Sequence, residues 1–349
     1  MPHGSLNLYF MSKIKLKNMY NSFEKTGIST LLLLLKSHQT EYLSGQDLSD
    51  VLKISRVAIW KHIKKIRSLG YKIESKQHLG YKLTDFTDQL VPWEITDNLR
   101  TKLLGKRVYY FETIDSTQAF AIKIAANKIE NGTVVMSKRQ SKGRGRLKRK
   151  WESPNGGIWM SIIIHPKFDI NHVMLMPIAT SLALCLAIEK ILKIKPELKW
   201  PNDLTVHGKK VAGILLDSSI QSNNIEYLVL GIGINFKIKQ KKLENMLKKQ
   251  SNFYGVQTLT KKNERPITLV KEFLCELENI LHMINLDQNK KIVNMWTKRS
   301  STIGKKIAYM TDNGKKIGKV IKMDHDGALI ISSNKKRERL IAGDISYKN

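Results

Sequence analysis

Two arginines interleaved with two glycines, in the run Gln140-Ser141-Lys142-Gly143-Arg144-Gly145-Arg146, make a combination suited to holding an anion. The glycines let the backbone approach a phosphate closely and adopt positive φ angles. Arg144 and Arg146 add forked donors for phosphate or carboxylate oxygens. Trp151, a little further on, has the flat apolar surface to cover an aromatic ligand group. As a bare pattern, the run also suits a basic RNA-binding loop or a solvated surface turn.

Its neighbours extend the chemistry. Upstream, Asp115-Ser116-Thr117-Gln118 offers hydroxyls and an amide to a polar ligand head, or simply an N-cap by Asp115 or Ser116. Downstream, Lys199-Trp200-Pro201-Asn202-Asp203 is a Pro turn presenting an amide and a carboxylate, and Asp203 is a candidate Mg²⁺ ligand. Lys209 and Lys210 place cations at the entry to an apolar strand, Val211-Ala212-Gly213-Ile214-Leu215. Gly231-Ile232-Gly233-Ile234-Asn235 reads as a glycine pair following a strand, but Phe236 stands where a dinucleotide fingerprint needs its third glycine. With no Walker A pattern, the chain is not a P-loop NTPase.

The elements that must position these residues fall into regions of different texture. A chain of 349 residues is long enough for two or three domains, and a 42% apolar fraction says globular. Residues 1–25 read as vector-derived sequence (Met1–Phe10, with Met11 a plausible start) and an N-terminal extension. Residues 26–85 carry short helical patterns ending in a hairpin, and 86–99 a linker marked by Pro92 and the polar stretch Thr84–Gln89. In 100–299, strands at Thr133–Ser137, Ile158–His165, Val211–Asp217 and Glu226–Ile234 alternate with helices at Ser116–Lys128, His172–Leu192 and Ile267–Asn285. Residues 300–349 have short strands between turn pairs, Asn313–Gly314 and Asp326–Gly327, which predict a small β-barrel.

In the first region, Gly45–Leu52 predicts a short helix with Leu48, Val51 and Leu52 inward, and Lys53–Ile54 a tight turn. Ser55 then caps a second helix whose Val57, Ile59, Ile63, Ile66 and Leu69 form a buried side. Arg56, Lys61, Lys64, Lys65 and Arg67 lie opposite, the arrangement a DNA-recognition helix needs. Ser55 and Arg56, at the helix start, would approach bases or phosphates first, whereas Lys64, Lys65 and Arg67 would touch phosphate. Tyr71–Glu74 and Gly80–Leu83, around the turn Ser75–Leu79, supply a wing, so the module reads as a winged helix–turn–helix.

The formal charge is +30, from 60 basic and 30 acidic residues, a field that draws polyanions. A generally Lys-rich composition accounts for it equally well, so the charge alone does not argue for DNA. Cys185 and Cys275 are too few for a disulfide framework. No Cys or His spacing suits zinc, and nothing calls for haem or flavin. Buried thiols in a reducing cytoplasm are expected. Leu31–Leu35 and Met174–Ile188 fall short of the roughly 20 residues a bilayer span needs, and no signal peptide is visible, so no membrane association is expected.

Taken in order, DSTQ, GRGRLKRKW, KWPND, KKVAGIL and GIGIN resemble the biotin–protein ligase family, specifically its bifunctional members that are also biotin operon repressors. The resemblance covers nearly the whole chain, with Gly304–Ala308 and Gly327–Ile331 like the family's SH3-like C-terminal part. It implies an α+β multidomain fold: a winged helix–turn–helix, a class II synthetase-like mixed α/β catalytic domain and an SH3-like barrel. It also implies ATP with Mg²⁺, biotin and biotinyl-5′-AMP as ligands, and a biotin carboxyl carrier protein as acceptor. Operator DNA and a homodimer formed on binding biotinyl-5′-AMP complete the implied partners.

Carried over by position, Ser116, Thr117, Gln118, Gln140 and Gly213 would line the biotin site. Gly143, Arg144, Gly145 and Arg146 would close over biotin and the adenylate. Lys210 would contact the biotin carboxylate and α-phosphate, making it with Arg144 and Arg146 the catalytic set. Trp151 would pack on adenine, while Asn202, Asp203, Gly231 and Asn235 would support the nucleotide. Two positions depart from the family pattern: Gln118 stands where Asn is common, and Lys148 where a glycine often follows. The second bears on dimer coupling more than on catalysis. The readings set against this one are a non-enzymatic biotin sensor and a lipoate ligase relative.

Overall fold

Serine caps set the frame of the N-terminal unit. A computed structural model of the protein describes residues 27–127, 129–247, 256–260, 264–311, 314–333 and 336–347. The expected vector segment, Lys128 at the end of one expected helix and Asn313 of one turn pair lie outside the described residues. The chain divides into two compact units, Met1–Trp93 and Glu94–Asn349.

In the first unit, α1 (Gly27–Ser37) packs on α2 (Gly45–Leu52) and α3 (Arg56–Ser68). Ser44 Oγ accepts from the Asp47 N–H at 3.0 Å and Ser55 Oγ from the Ala58 N–H at 3.2 Å, so each helix begins on a side-chain cap. Lys53, at φ 54°, makes the left-handed turn between α2 and α3. Leu31, Leu32, Leu35, Leu48, Ile59, Ile63, Ile66 and Leu69 are buried. Two expectations fail: Val51 and Val57 are each 63% exposed. In α3, Val57 falls outside the i, i+4, i+7 row of Ile59, Ile63 and Ile66 and projects from the far side.

The wing pairs β1 (Lys72–Lys76) with β2 (Gly80–Asp85), so its turn is shorter than expected. Gly80, at φ 111°, sits against Leu43, where a Cβ would collide with the Leu43 carbonyl. Thr87, Leu90 and Val91, in the stretch expected to be a linker, are buried, and α4 (Pro92–Thr96) follows them.

The second unit is built on a mixed sheet. Among the described residues it has seven strands, β3 (Val108–Phe111), β4 (Val134–Ser137), β5 (Ile158–Ile164), β6 (Glu197–Lys199), β7 (Asp203–Val206), β8 (Lys209–Gln221) and β9 (Asn224–Ile234). Their order is β3-β4-β5-β9-β8-β7-β6, and only β3 and β4 run parallel. That parallel pair needs a crossover, which α5 (Thr117–Ala125) supplies. Ala121 and Ala125 of α5 join Val135, Ile163 and Val229 in a core cluster, with Phe120 edge-on to Phe111 at 5.1 Å.

Elsewhere α6 (Met176–Leu192) packs on α8 (Pro266–Asn285) and on β6, β7 and β8, while α7 (Gln240–Leu247) and α9 (Asn289–Thr297) complete the helices. Pro177 does not interrupt the helical run: a 3₁₀ turn, Ile170–Leu175, leads into α6 with the proline in its first turn. The resulting 23-residue stretch Ile170–Leu192 is long and apolar enough to cross a membrane, and 72% of its apolar 18-residue window is buried inside the protein.

A five-stranded antiparallel sheet stands where the small barrel is expected. It comprises β10 (Lys306–Thr311), β11 (Gly314–Met323), β12 (Leu329–Ser333), β13 (Lys336–Leu340) and β14 (Ile345–Tyr347), in the order β13-β12-β11-β10-β14. It belongs to the same compact unit as the mixed sheet. Trp200 ties the two together, its backbone N–H donating to Thr302 Oγ1 at 3.1 Å and its indole N–H to the Gly327 carbonyl at 2.9 Å.

Candidate active site

Strands β8 and β9 lie side by side with their glycines in register, Gly213 opposite Gly233 and Leu215 opposite Gly231. The Gly-x-Gly pair lies within β9, inside the strand Glu226–Ile234 that the sequence pattern predicts. Residues two apart face the same side of a strand, and what rests on that side explains the glycines. A Cβ at Gly231 would come within 2.6 Å of Gln118 Oε1, and one at Gly233 within 2.6 Å of the Trp151 indole. A Cβ at Gly213 would come within 3.0 Å of the same indole. The missing side chains open a floor for flat or narrow groups.

That floor belongs to a cavity of about 860 Å³ whose lining includes every residue expected at the ligand site except Gly143. Gly143 is buried just behind it, where a Cβ would collide with the Trp151 carbonyl. At one end is a polar cluster. Thr117 donates its backbone N–H and hydroxyl to Gln140 Oε1 at 2.8 and 3.1 Å, and Gln140 Nε2 donates to Ser153 Oγ at 2.8 Å. Gln118 Nε2 donates to Asp217 Oδ2 and the Val229 carbonyl, both at 2.9 Å. Ser161 Oγ joins Thr117 Oγ1 and Gln118 Oε1 at 3.0 and 2.9 Å. Ser116 serves as the N-cap of α5, accepting from the Ala119 N–H at 3.3 Å.

Asp115 instead faces Ser141 and Lys142, which hold its carboxyl below the usual range. No sequence motif marks Ser153, Ser161 or Asp217 for a role. Ser161 had a readable signal, as the one polar residue in the strand Ile-Trp-Met-Ser-Ile-Ile-Ile.

At the other end the glycine–arginine loop folds on itself, Trp151 N–H bonding the Gly143 carbonyl and Gly145 N–H the Arg149 carbonyl. Leu147 and Lys148 both take left-handed backbone angles, φ 52° and 59°, at a cost on the order of 1–2 kcal/mol each for residues with a Cβ. Arg146 donates to Asn202 Oδ1 and to the Gly343 carbonyl, each at 3.0 Å, and lies 3.6 Å from Asp344. Arg149 pairs with Asp344 directly, and Arg144 lines the cavity with its side chain exposed. Lys210 is ion-paired with Asp203 and sits 5.0 Å from the Trp151 ring centre. Burial holds the nearby Lys199 ammonium below its ordinary pKa, against the pull of Asp203. Asn235 is buried at the cavity wall. Asp344, just before β14, and Tyr347 within it also line the cavity, and no sequence pattern marked them.

Among the described residues no group of three or more His, Cys, Asp or Glu could cage a metal. The carboxylate expected as a donor is Asp203, which lines the cavity with Glu152, Glu197 and Asp344. That fits a Mg²⁺ ion held mainly by phosphate oxygens, since this ion is commonly bound by one or two carboxylates plus substrate.

In the first unit, Arg56, Lys61, Lys64 and Lys65 are exposed on α3 as expected. Arg67 is engaged within the module, donating to the Ile73 carbonyl at 2.7 and 3.1 Å and to Ser75 Oγ at 2.5 Å.

Residues 110–235 match the Biotin/lipoate A/B protein ligase family, and residues 28–82 match an HTH (helix–turn–helix) domain. The bifunctional ligase/repressor BirA of Bacillus subtilis is 31% identical over 316 residues, covering 90% of this chain and 97% of its own length. The protein of the same name from Escherichia coli is 25% identical, covering 88% and 94%. Among solved structures, biotin protein ligase from Aquifex aeolicus in complex with biotin and ATP aligns with TM-score 0.58 and 26% identity, over 70% of this chain and 99% of that one. The chain thus belongs to the bifunctional ligase/repressor family of biotin protein ligases, with a helix–turn–helix head followed in sequence by a ligase domain.

Proposed function

We propose that this enzyme joins biotin to a lysine of a biotin carboxyl carrier protein in two steps, and that biotinyl-5′-AMP held in its cavity promotes homodimerisation and operator binding by the head. In the first step a biotin carboxylate oxygen attacks the α-phosphorus of ATP and pyrophosphate leaves. In the second the carrier's lysine amine attacks the carbonyl of the mixed anhydride, and AMP leaves. Both nucleophiles come from substrates, so the protein's part is to position them and offset charge.

The observation that carries this reading is one cavity with an amide–hydroxyl cluster at one end and cations at the other. The cluster of Thr117, Gln118, Gln140 and Ser161 suits a polar ring system, with Ser116 supporting it as the cap of α5. Lys210 would stand at the carboxylate and α-phosphate, where charge builds up, with Arg144 and Arg146 beside it. Gly213 and Gly231 leave room for an aliphatic chain between the ends, and Trp151 and Asn235 offer a stacking face and an amide to adenine. Asp203 and Asn202 would support a Mg²⁺ ion, which would offset phosphate charge when bound. Closing the loop of Gly143–Arg146 would keep water from an acyl-adenylate that otherwise hydrolyses.

In this reading residues 26–85 form the DNA reader, 86–99 the link, 100–299 the catalytic domain and 300–349 the C-terminal domain. A reducing, cytoplasmic setting accords with two unpaired cysteines.

The test is transfer of labelled biotin to a carrier domain with ATP and Mg²⁺, followed by operator binding with and without biotinyl-5′-AMP. Transfer together with adenylate-enhanced DNA binding is expected. No transfer would leave a biotin sensor, and transfer without adenylate-dependent DNA binding would leave a ligase with an idle head. Removing residues 1–93 should abolish operator binding, and binding that survived at physiological salt would place the reader elsewhere.

A further inference from the structure

The outward face of the recognition helix is not uniformly charged. Opposite the buried Ile59, Ile63 and Ile66, the spacing i, i+3, i+4, i+7 brings Val57, Trp60, Lys61 and Lys64 onto one stripe. Val57 is 63% exposed and Trp60 51%. Single exposed apolar residues are ordinary on a protein surface. These two sit one helical turn apart at the start of the element, ringed by exposed Arg56, Lys61, Lys64 and Lys65, on a helix with no acidic residue. The Lys64 ammonium lies 5.3 Å from the centre of the Trp60 ring, so the indole and a cation are presented together.

A helix that docks in the major groove meets base edges with the side chains near its N-terminus. Valine has no donor or acceptor and tryptophan has a single donor, so neither can read the hydrogen-bond pattern of a guanine or adenine edge. The apolar feature a major groove offers is the thymine C5-methyl group. Lysines on the same stripe match the phosphates that flank such a site. We propose that Val57 and Trp60 set the sequence preference of the head by packing on thymine methyl groups in its operator, with Lys61 and Lys64 holding the adjoining phosphates. This rests on the reading of the head as a DNA-binding module and names what it reads. A protein partner for the same stripe is the competing occupant, and the charge favours DNA.

The experiment uses the full chain with biotin, ATP and Mg²⁺ present. A random duplex pool is selected, and the enriched duplex is compared with a copy carrying deoxyuridine for each thymine in turn, which removes only the methyl. The wild type should enrich a thymine-containing site and lose roughly fourfold in affinity at each contacted methyl, the value of one buried methyl-sized group. Val57→Ala and Trp60→Ala should each bind one of these thymine duplexes and its deoxyuridine copy equally. Their affinity for random duplex and its salt dependence should stay the same. Both side chains are exposed, so melting curves should match the wild type.

Sequence-selective binding indifferent to methyl removal would overturn the proposal while leaving the head a DNA reader, as would undiminished methyl discrimination in both variants. If the chain bound no duplex but a protein partner through this stripe, the DNA reading would fall with it.

Discussion

The guanidinium of Arg146 donates to Oδ1 of Asn202 across 3.0 Å, joining the glycine–arginine loop to the Pro201 turn from 56 residues away in sequence. The same side chain reaches the Gly343 carbonyl, so loop, turn and C-terminal sheet meet at one group. Replacing Arg146 with Ala should therefore loosen the cover over the bound intermediate. Charged hydrogen bonds contribute roughly 1.5–3 kcal/mol, so biotinyl-5′-AMP should dissociate about 10- to 100-fold faster. Release of preformed adenylate into solution measures this, and an unchanged lifetime would remove Arg146 from the role.

Lys210 pairs with Asp203, lies against the Trp151 ring and lines the same cavity. For Lys210→Ala, pyrophosphate release should fall about 100- to 1000-fold, as for loss of a donor to a developing charge. Biotin binding should change much less. Normal pyrophosphate release would show that another cation does the work.

Gly233→Ala tests the floor. The new methyl would meet the Trp151 ring, and overpacking of this kind costs about 1–3 kcal/mol. The melting temperature should fall by about 2–10 °C, and nucleotide affinity should weaken by roughly one order of magnitude because the displaced indole no longer offers the same face, as followed by calorimetry. Retained affinity would mean that the indole leaves this position when ligand binds.

Burial pushes the Cys185 thiol up to about 12, with Glu189 adding to the effect. At pH 8 it stays protonated, and only the thiolate reacts. Native protein should resist alkylation at Cys185 until pH approaches that value or the chain unfolds. Peptide mapping after iodoacetamide checks it, and rapid labelling at pH 8 would contradict the packing around α6.

Periodicity and caps make much of the fold legible in the sequence. Ser55 and the Ile59, Ile63, Ile66 row are a local pattern, and local patterns survive into the structure. Val57 is apolar and close to that row in sequence, so the pattern places it inward, whereas helical geometry turns it away. The glycines of β9 fall inside the strand Glu226–Ile234 that the apolar run predicts, although glycine is a poor strand former. Only the packing of Gln118 and Trp151, from distant segments, accounts for their place there.

At the candidate site, loop and turn residues were legible through their chemistry. Asp217 and Asp344 were not, since a lone carboxylate in a strand or turn looks the same whether it meets Gln118 or Arg149, or only water.

Arg67 spans from the end of α3 to the first wing strand, holding the Ile73 carbonyl and Ser75 hydroxyl with one planar group. Helix and wing consequently move as one piece, a key whose teeth are set before it enters the lock. In the proposed DNA-reading role, any misfit between this head and a binding site would be taken up by the double helix, and the stiffness of the base steps between groove contacts would become part of what is recognised.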